Sequence, residues 1–300
     1  MRTEVVEFTS DGEEVSALWR TPDNSRTPER VVVQGPGWMG SKDARLYLQY
    51  HEALTQEGLG VLSVDYREIR RDDHSAALVL ERQIRDLENA VTYVQALDFV
   101  DPNSIGAFGN GATGASNAIM LASRDVRVSA VVAQFPISDG PEWLRGMRNA
   151  EEWAVFLHDL EVDREQRIAG RGRLVDPVRE ITLPFKEREA TGAKSDVANR
   201  VPKEVSLAVA DAVMSYRPLR AMPFVTAPTL FITVEGDLVT PEKHAMDLYE
   251  SARCERKLMV HRDTTHYRSY ETHGAETCSA IAEWFDQHLG AKSRVTRRTG

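Results

Sequence analysis

Apolar residues follow two alternating patterns along the chain. Short runs such as residues 31–33 are continuous and β-branched, which is typical of strands buried on both faces of a sheet. Longer segments such as residues 80–97 carry apolar residues every three or four positions, which predicts amphipathic helices. Strands that alternate with helices predict an α/β fold whose central sheet is mostly parallel and covered by helices on both faces.

These patterns assign elements along most of the chain. The predicted strands cover residues 5–8, 14–20, 31–33, 61–66, 128–135, 229–234 and 257–261, and one more begins near residue 104. The predicted helices cover residues 44–57, 80–97, 113–123, 241–252 and 272–289. The turn at residues 10–12 predicts that the first two strands form an antiparallel pair.

Residues 138–222 interrupt this alternation. The segment has no convincing strand pattern, and it carries many charges, several aromatic residues and the patterns of three helices. Connections in α/β folds are usually far shorter, so we predict a helical cap inserted over the strand ends, where ligands bind in open sheets. A small second domain with no part in the site is the alternative. The predicted organisation is a core at 1–137 and 223–290, a cap at 138–222 and a basic, disordered tail at 291–300.

Composition excludes several classes of partner and cofactor. The 300 residues carry a net charge of −9 at pH 7, whereas nucleic-acid-binding surfaces are usually basic, so no nucleic-acid partner is expected. No apolar run is long enough to span a membrane and no export signal follows Met1, so we expect a cytoplasmic protein without a membrane partner.

Cys254 and Cys278 lack metal-ligand spacing, and no dinucleotide or phosphate-binding motif is present, so neither a metal nor a cofactor is expected. Nothing in the sequence fixes the oligomeric state, and a homodimer is compatible with it.

Residues 104–114 predict a buried strand, a sharp turn and the start of a helix. In a nucleophile elbow, a G-x-S-x-G turn of this kind lifts a serine above the sheet. The middle position here is Gly111, which has no side chain to attack a substrate. Glycine suits the positive φ of such a turn, so the turn can fold without a nucleophile. Thr113 and Ser116 lie farther along, inside the predicted helix, and are interpreted as packing residues.

The chain resembles the α/β-hydrolase family over roughly residues 5–289. Besides the elbow, four segments carry the resemblance in the family's order. They are residues 37–43 (GWMGSKD), 64–67 (VDYR), 134–140 (QFPISDG) and 227–241 (APTLFITVEGDLVTP). Within the family, the chain is most similar to the cap-bearing branch of dienelactone-hydrolase-like esterases, dipeptidyl-peptidase-like acyl hydrolases and polyketide acyl transferases. The resemblance implies an α/β-hydrolase fold with an inserted cap and an acyl or carbonyl small molecule as the substrate.

The resemblance also implies a catalytic acid and a histidine. The family places the acid after the strand that follows the cap and the histidine in the loop before the last helix, and Asp237 and His266 match these positions. His261 and His273 are nearby competitors, but His261 ends a predicted strand and His273 begins a predicted helix. An aspartate that holds a histidine in one tautomer makes that histidine a general base.

Backbone N–H groups are implied as an oxyanion hole. Trp38, in the turn after the third strand, and Ala112, directly after Gly111, match the two donor positions of the family. One such donor stabilises a developing oxyanion by about 3 kcal/mol. Pro36 stands where the family often has histidine, which leaves the detailed shape of this turn open.

Together these residues predict an α/β-hydrolase-like enzyme that works without a covalent intermediate. His266, held by Asp237, would take a proton from water or from a carbonyl substrate. Cyclisation, elimination, isomerisation, carbon–carbon cleavage and direct hydrolysis by water are reactions of this kind, and a role in natural-product biosynthesis fits this branch of the family. Two alternatives stay open: a serine esterase or acyl transferase inactivated by an engineered Gly111, and a non-catalytic protein that binds a small molecule.

Overall fold

Eight strands form the central sheet in the computed structural model, which describes residues 1–23, 27–67, 78–182 and 204–290. In chain order, these strands and two short ones outside the sheet are β1 (Arg2–Ser10), β2 (Glu13–Thr21), β3 (Val31–Gly35), β4 (Gly60–Val64), β5 (Ile105–Ala112), β6 (Val128–Pro136), β7 (Leu174–Val175), β8 (Val205–Ser206), β9 (Thr229–Val234) and β10 (Arg256–His261). The sheet order is β1-β2-β4-β3-β5-β6-β9-β10. β2 pairs antiparallel with β1 and β4, and the other neighbours pair parallel. This is the mostly parallel sheet that the alternating pattern predicted.

Helices connect the strands and cover the sheet. They are α1 (Arg45–Gln56), α2 (Leu80–Gln95), α3 (Thr113–Ala122), α4 (Gly140–Gly146), α5 (Ala150–Ile168), α6 (Ala208–Met214), α7 (Pro218–Ala221), α8 (Glu242–Ser251), α9 (Ser269–Thr272) and α10 (Gly274–His288), with a π-helical turn at Pro177–Ile181 and a 3-10 turn at Met222–Phe224. The predicted last helix, residues 272–289, matches α10, and the four-residue α9 before His273 was not predicted. A Cβ at Gly274 would lie too close to the amide oxygen of Gln49, so the flexible Gln49 side chain of α1 would have to move if Gly274 carried a side chain.

The apolar core lies on both faces of the sheet. On one face, Leu87 of α2 and Ile119 of α3 belong to a fully buried cluster, and on the other face Tyr50 of α1 and Phe285 of α10 belong to a second one. Burying one such side chain contributes about 1.5–3 kcal/mol. The two clusters pack the helices against both faces of the sheet. The loops that follow the strands lie at the carboxyl ends of the strands, at the edge of the sheet.

The segment between β6 and β9 contains α4 to α7 and is mostly helical. The expectation of no strand in it was wrong, because Leu174 and Val175 pair antiparallel with Ser206 and Val205. Two-residue strands are too short to show the alternation that reveals a strand in sequence. A third apolar cluster joins this segment to the sheet edge, since Trp143 and Leu144 of α4 are buried in it together with Trp38.

A chain of buried side-chain hydrogen bonds crosses four strands just below this edge. The Ser63 hydroxyl donates to Oε1 of Gln34, and Nε2 of Gln34 donates to Oδ1 of Asn110 at 2.7 Å. Nδ2 of Asn110 donates to Oε1 of Gln134 at 2.7 Å, and Nε2 of Gln134 donates to the Tyr50 hydroxyl at 2.9 Å. Because buried polar groups are costly when unpaired, this network favours one register of the strands that end in the functional turns.

Two further expectations concern membranes and the tail. Over the described ranges, no helix combines the length and the hydrophobicity needed to cross a bilayer. The predicted basic tail, residues 291–300, lies outside the described residues.

Candidate active site

Asp237 and His266 meet at the carboxyl edge of the sheet. Asp237 follows β9 after the positive-φ Gly236, and His266 lies between β10 and α9. Nδ1 of His266 lies 2.7 Å from Oδ2 of Asp237, and both residues are 5% exposed. With the Nδ1 proton held by the carboxylate, Nε2 carries the free lone pair, and it makes no hydrogen bond to any described residue. Such a ring can accept a proton at Nε2.

The Asp237 carboxylate is also fixed by its own loop. Oδ1 accepts the backbone N–H groups of Val239 at 2.7 Å and Thr240 at 3.1 Å, and Oδ2 accepts the Thr240 hydroxyl at 3.0 Å. Burial alone would raise the pKa of Asp237, but the His266 ring and these hydrogen bonds outweigh burial and hold the pKa below its ordinary value. The carboxylate is therefore ionised when it faces the imidazole.

Two aromatic rings restrict the histidine. The Phe135 ring centroid lies 4.8 Å from that of His266, and the Tyr267 ring meets it edge-on at the same distance. Phe135 has a φ of 60°, an unfavourable conformation for a residue with a Cβ. The strain at the end of β6 turns the phenyl ring toward His266, and the packed rings limit the orientations open to the imidazole.

The turn between β5 and α3 is built from Gly111 and Ala112, whose φ angles are 60° and 44°. The sequence placed the centre of the elbow at Gly111. In the structure the strained residue is Ala112, which has a Cβ and a ψ of −111° and stands directly before α3. Neither side chain has an oxygen or sulfur atom, so the turn carries no nucleophile whichever residue is its centre. A Cβ on Gly111 would meet only the Cα of Gly37, at 3.8 Å.

The turn after β3 packs against this elbow. It is closed by a hydrogen bond from Gly40 N–H to the Gly37 carbonyl at 2.8 Å, with Trp38 as one of its central residues. The Tyr47 hydroxyl accepts the Gly37 N–H at 3.2 Å from α1, which anchors the turn. In the part of the chain that the structure describes, the Trp38 N–H has no hydrogen-bond partner. A backbone donor is therefore available in the position that the family resemblance implied.

A single pocket brings these pieces together. It contains about 890 Å³ of empty space including its mouth, and all of His266, Gly111, Ala112 and Trp38 line it. Asp237 does not line the pocket and lies behind His266. The remaining wall residues are Gly37, Met39, Gly40, Ala44, Leu46, Tyr47, Trp143, Met147, Thr182, Val239, Tyr267 and Tyr270.

The competing residues lie elsewhere. His261 is buried against Thr277, with Nε2 3.1 Å from the hydroxyl, and its ring stacks on His273. Burial, followed by the charge of His273, lowers the pKa of His261 to about 4. The Ser116 hydroxyl donates a hydrogen bond to the Ile137 carbonyl and accepts one from the Ile137 N–H. Thr113 is fully buried and does not line the pocket. Among the described residues, no group of three or more His, Cys, Asp or Glu side chains could hold a metal ion.

Three residues at the site were not assigned from the sequence. The Tyr47 hydroxyl accepts the Gly37 N–H, and Thr240 donates two hydrogen bonds to the Asp237 carboxylate. Hydrophobic periodicity carries no information about such polar contacts. Trp143 lies in the segment predicted as a cap, and its indole N–H donates to the Val239 carbonyl at 2.8 Å in the loop of Asp237. A tryptophan in an otherwise charged segment was the available signal.

No family model matches the chain. The quorum-quenching protein AidA of Acinetobacter baumannii (strain MDR-ZJ06) is 26% identical over 247 residues, which are 79% of this chain and 80% of AidA. An uncharacterised 31.7 kDa protein encoded in the traX-finO intergenic region of Escherichia coli is 24% identical over 285 residues, covering 92% of this chain and 97% of that protein.

Solved structures share the fold over nearly the whole chain. DcsB, in a complex with its substrate analogue, has a TM-score of 0.80 at 20% identity and covers 96% of this chain and 99% of its own. The α/β hydrolase GrgF from Penicillium sp. sh18 has a TM-score of 0.79 at 20% identity, with the same coverage of both chains. A dienelactone hydrolase from Anabaena variabilis ATCC 29413 has a TM-score of 0.57 at 17% identity and covers 96% of this chain and 98% of its own. The α/β-hydrolase fold that the motifs predicted is thereby confirmed.

Proposed function

We propose that this protein is an enzyme that uses His266 and Asp237 as a general base on an acyl or carbonyl small molecule, without forming a covalent intermediate. The observation that carries the proposal is the 2.7 Å Asp237–His266 hydrogen bond beside a turn, Gly111–Ala112, that has no nucleophilic atom. A histidine oriented in this way usually activates a serine. Without one, its Nε2 can take a proton from water or from the carbon next to a carbonyl.

Backbone donors would complete the reaction site. A proton leaving the α-carbon of a ketone or ester places negative charge on the carbonyl oxygen. The N–H of Trp38, and the N–H of Ala112 at the end of β5 as the resemblance implies, would stabilise that oxygen at a pocket wall shared with His266. The reaction classes that this supports are cyclisation, elimination, isomerisation, carbon–carbon cleavage and hydrolysis by directly activated water.

The inserted segment would act as the cap over this site. Trp143, Met147 and Thr182, all between β6 and β9, line the same pocket as His266. A cap that excludes water would strengthen the electrostatic interactions in the pocket. We further propose that the substrate is a metabolite handled in the cytoplasm, and that the reaction belongs to natural-product biosynthesis.

Proton exchange in D₂O tests the proposal even while the natural product of the reaction is unidentified. The protein is incubated with a panel of ketones, β-keto esters and esters, and the exchange of α-protons is followed by NMR, with His266→Ala as the matched control. The proposal predicts exchange or hydrolysis for at least one compound that binds, lost in His266→Ala while binding remains. Compounds that bind the protein and are neither exchanged nor hydrolysed would instead indicate a non-catalytic receptor.

Quorum quenching is a second candidate, because AidA carries that name and covers most of this chain. The test is the response of a quorum-sensing reporter strain to signal-containing medium that has been treated with the protein or with His266→Ala. A reduced response with the first protein alone would support this candidate. An equal response to both treatments would remove it.

A further inference from the structure

Tyr270 is held firmly at the wall of the pocket. It belongs to the short helix α9 that follows His266, and it lines the pocket. Nε2 of Gln49 in α1 donates to the Tyr270 carbonyl at 2.9 Å, which ties its backbone to a neighbouring helix. The ring packs edge-on against Phe135 with centroids 5.5 Å apart, and it lies 6.3 Å from the Tyr50 ring. A ring packed in this way has little freedom to move its hydroxyl.

The Tyr270 hydroxyl has no hydrogen-bond partner among the described residues. Fully enclosed polar atoms without a partner do occur in that part of the chain, such as the indole nitrogen of Trp38, but the Tyr270 hydroxyl is not one of them. This oxygen therefore keeps accessible surface, and because Tyr270 is 8% exposed and lines the pocket, a ligand can reach it from there. An O–H group that is not used inside the protein can donate to a ligand.

Neighbouring groups locate this hydroxyl. Of the ionisable neighbours, Tyr47 has the strongest electrostatic effect on it, and the Tyr47 hydroxyl accepts the Gly37 N–H at 3.2 Å. Because such effects weaken with distance, the Tyr270 hydroxyl lies on the side of the turn that carries Trp38. The His266 ring is also a neighbour, with its centroid 6.4 Å from that of Tyr270. Tyr270 therefore borders both the proposed oxyanion donors and the proposed base.

The phenol of Tyr270 keeps its proton at neutral pH. Burial raises the pKa of Tyr270 well above its ordinary value of 10, and the nearby Tyr47 and Tyr50 raise the pKa further. The group can therefore donate a hydrogen bond to a ligand oxygen but does not act as a second base.

We propose that Tyr270 is a further catalytic residue, whose hydroxyl donates a hydrogen bond to the carbonyl oxygen of the substrate while His266 takes a proton from the adjacent carbon. The inference rests on the proposed function. Nε2 of His266 forms the new bond to the proton, the C–H electron pair becomes the carbon–carbon π bond of an enolate, and the carbonyl π pair moves to oxygen. The Tyr270 proton stays on the phenol, and its O–H adds to the backbone donor of Trp38.

Two measurements separate the hydrogen bond from the reaction. Carbonyl-¹³C-labelled acetophenone and propiophenone are bound to His266→Ala, in which this base cannot react, and their carbonyl stretch is recorded by infrared spectroscopy and their affinity by calorimetry. The α-proton exchange of the same ketones in D₂O is followed by NMR with His266 intact. Both measurements are repeated after Tyr270→Phe, which removes only the hydroxyl. Tyr50→Phe is the matched control, because Tyr50 is a neighbouring phenol that does not line the pocket.

Tyr270→Phe should move the carbonyl stretch of the bound ketone to higher frequency and weaken its binding by less than about tenfold. It should slow α-proton exchange by about 10²-fold, because an enolate oxygen gains more from the donor than a ketone oxygen does. Tyr50→Phe should leave the stretch and the exchange rate near their wild-type values.

The outcomes distinguish this inference from the proposed function. A folded Tyr270→Phe variant with an unchanged stretch and exchange rate would overturn the inference, while exchange that depends on His266 would still support the proposed function. If the stretch responds to Tyr270→Phe but the wild-type protein exchanges no ketone, the proposed function and the catalytic role of Tyr270 both fail, and only its hydrogen bond to the ligand is retained. Failure of either ketone to bind would count against both proposals.

Discussion

Nδ1 of His266 is hydrogen-bonded to Oδ2 of Asp237 at 2.7 Å, and the same carboxylate is held by two backbone N–H groups and a threonine hydroxyl. His266 is thus held in one tautomer, with Nε2 on the side of the ring away from the carboxylate. His266 also lines the pocket. Because the Asp237 carboxylate is held in place, it stabilises the imidazolium that forms when His266 takes a proton. Both the reactivity of His266 and the pH dependence of stability should therefore depend on Asp237.

Asp237→Asn should slow α-proton exchange by about 10²- to 10⁴-fold, because the amide cannot stabilise the charged imidazolium and can favour the other tautomer. Substrate affinity should change little, since Asp237 does not line the pocket. NMR exchange rates and calorimetric affinities measured on the same compound check both parts. A variant with an unchanged exchange rate would show that His266 does not work through Asp237.

The pH dependence of stability provides a separate test of the same carboxylate. The pKa of Asp237 is lower in the folded protein than its ordinary value of 3.8. Its contribution is therefore complete above that value and is lost as the pH falls through the lower, folded pKa. The difference in Tm between the wild-type protein and Asp237→Asn should be largest near pH 7 and should shrink below pH 3.8 in thermal unfolding scans. A difference that stays constant down to pH 2 would contradict this assignment.

His51 should also make stability fall with decreasing pH, but over a higher pH range. Burial, followed by the positive charge of Arg20, lowers the pKa of His51 from 6.5 to about 3, and the Arg20 guanidinium lies 2.7 Å from its Nδ1. The unfolded chain therefore binds this proton first as the pH falls below 6.5, so stability decreases between pH 6.5 and 3. His51→Gln keeps an acceptor for Arg20 and should flatten this part of the curve. Urea unfolding at several pH values measures the slope, and an unchanged slope would contradict the prediction.

Two glycines near the elbow should respond differently to alanine. A Cβ on Gly114 would overlap the carbonyl oxygen of Pro36, so Gly114→Ala should force the turn after β3 away from α3 and lower stability by more than about 3 kcal/mol. A Cβ on Gly111 has room, and only its positive φ is costly, by about 1–2 kcal/mol. Chemical denaturation of both variants compares the two effects. Equal losses would mean that the close contact between Pro36 and Gly114 is not required.

The order of the eight sheet strands and of the longer helices between them was accessible from the sequence, because these elements are long enough to show their period. Asp237 and His266 were placed by their positions after β9 and before the last helices, and the structure brings them into contact. The strain at Ala112 and Phe135 could not be read from the sequence, since both residues normally avoid positive φ and are held there by the surrounding packing. The short β7–β8 ladder was missed because it joins segments about thirty residues apart with no repeating pattern.

Restoring the missing nucleophilic atom tests whether the base and the oxyanion donors are in place. Ala112→Ser and Gly111→Ser are each treated with p-nitrophenyl esters of several acyl lengths, and acylation is read by burst kinetics and by mass spectrometry. Tryptophan fluorescence confirms that each ester binds, and a second substitution, His266→Ala, is the control. We expect an acyl adduct on one of the two serines that disappears in the His266→Ala control. Folded variants that bind the esters and form no adduct on either serine would contradict the presence of a working base and oxyanion hole.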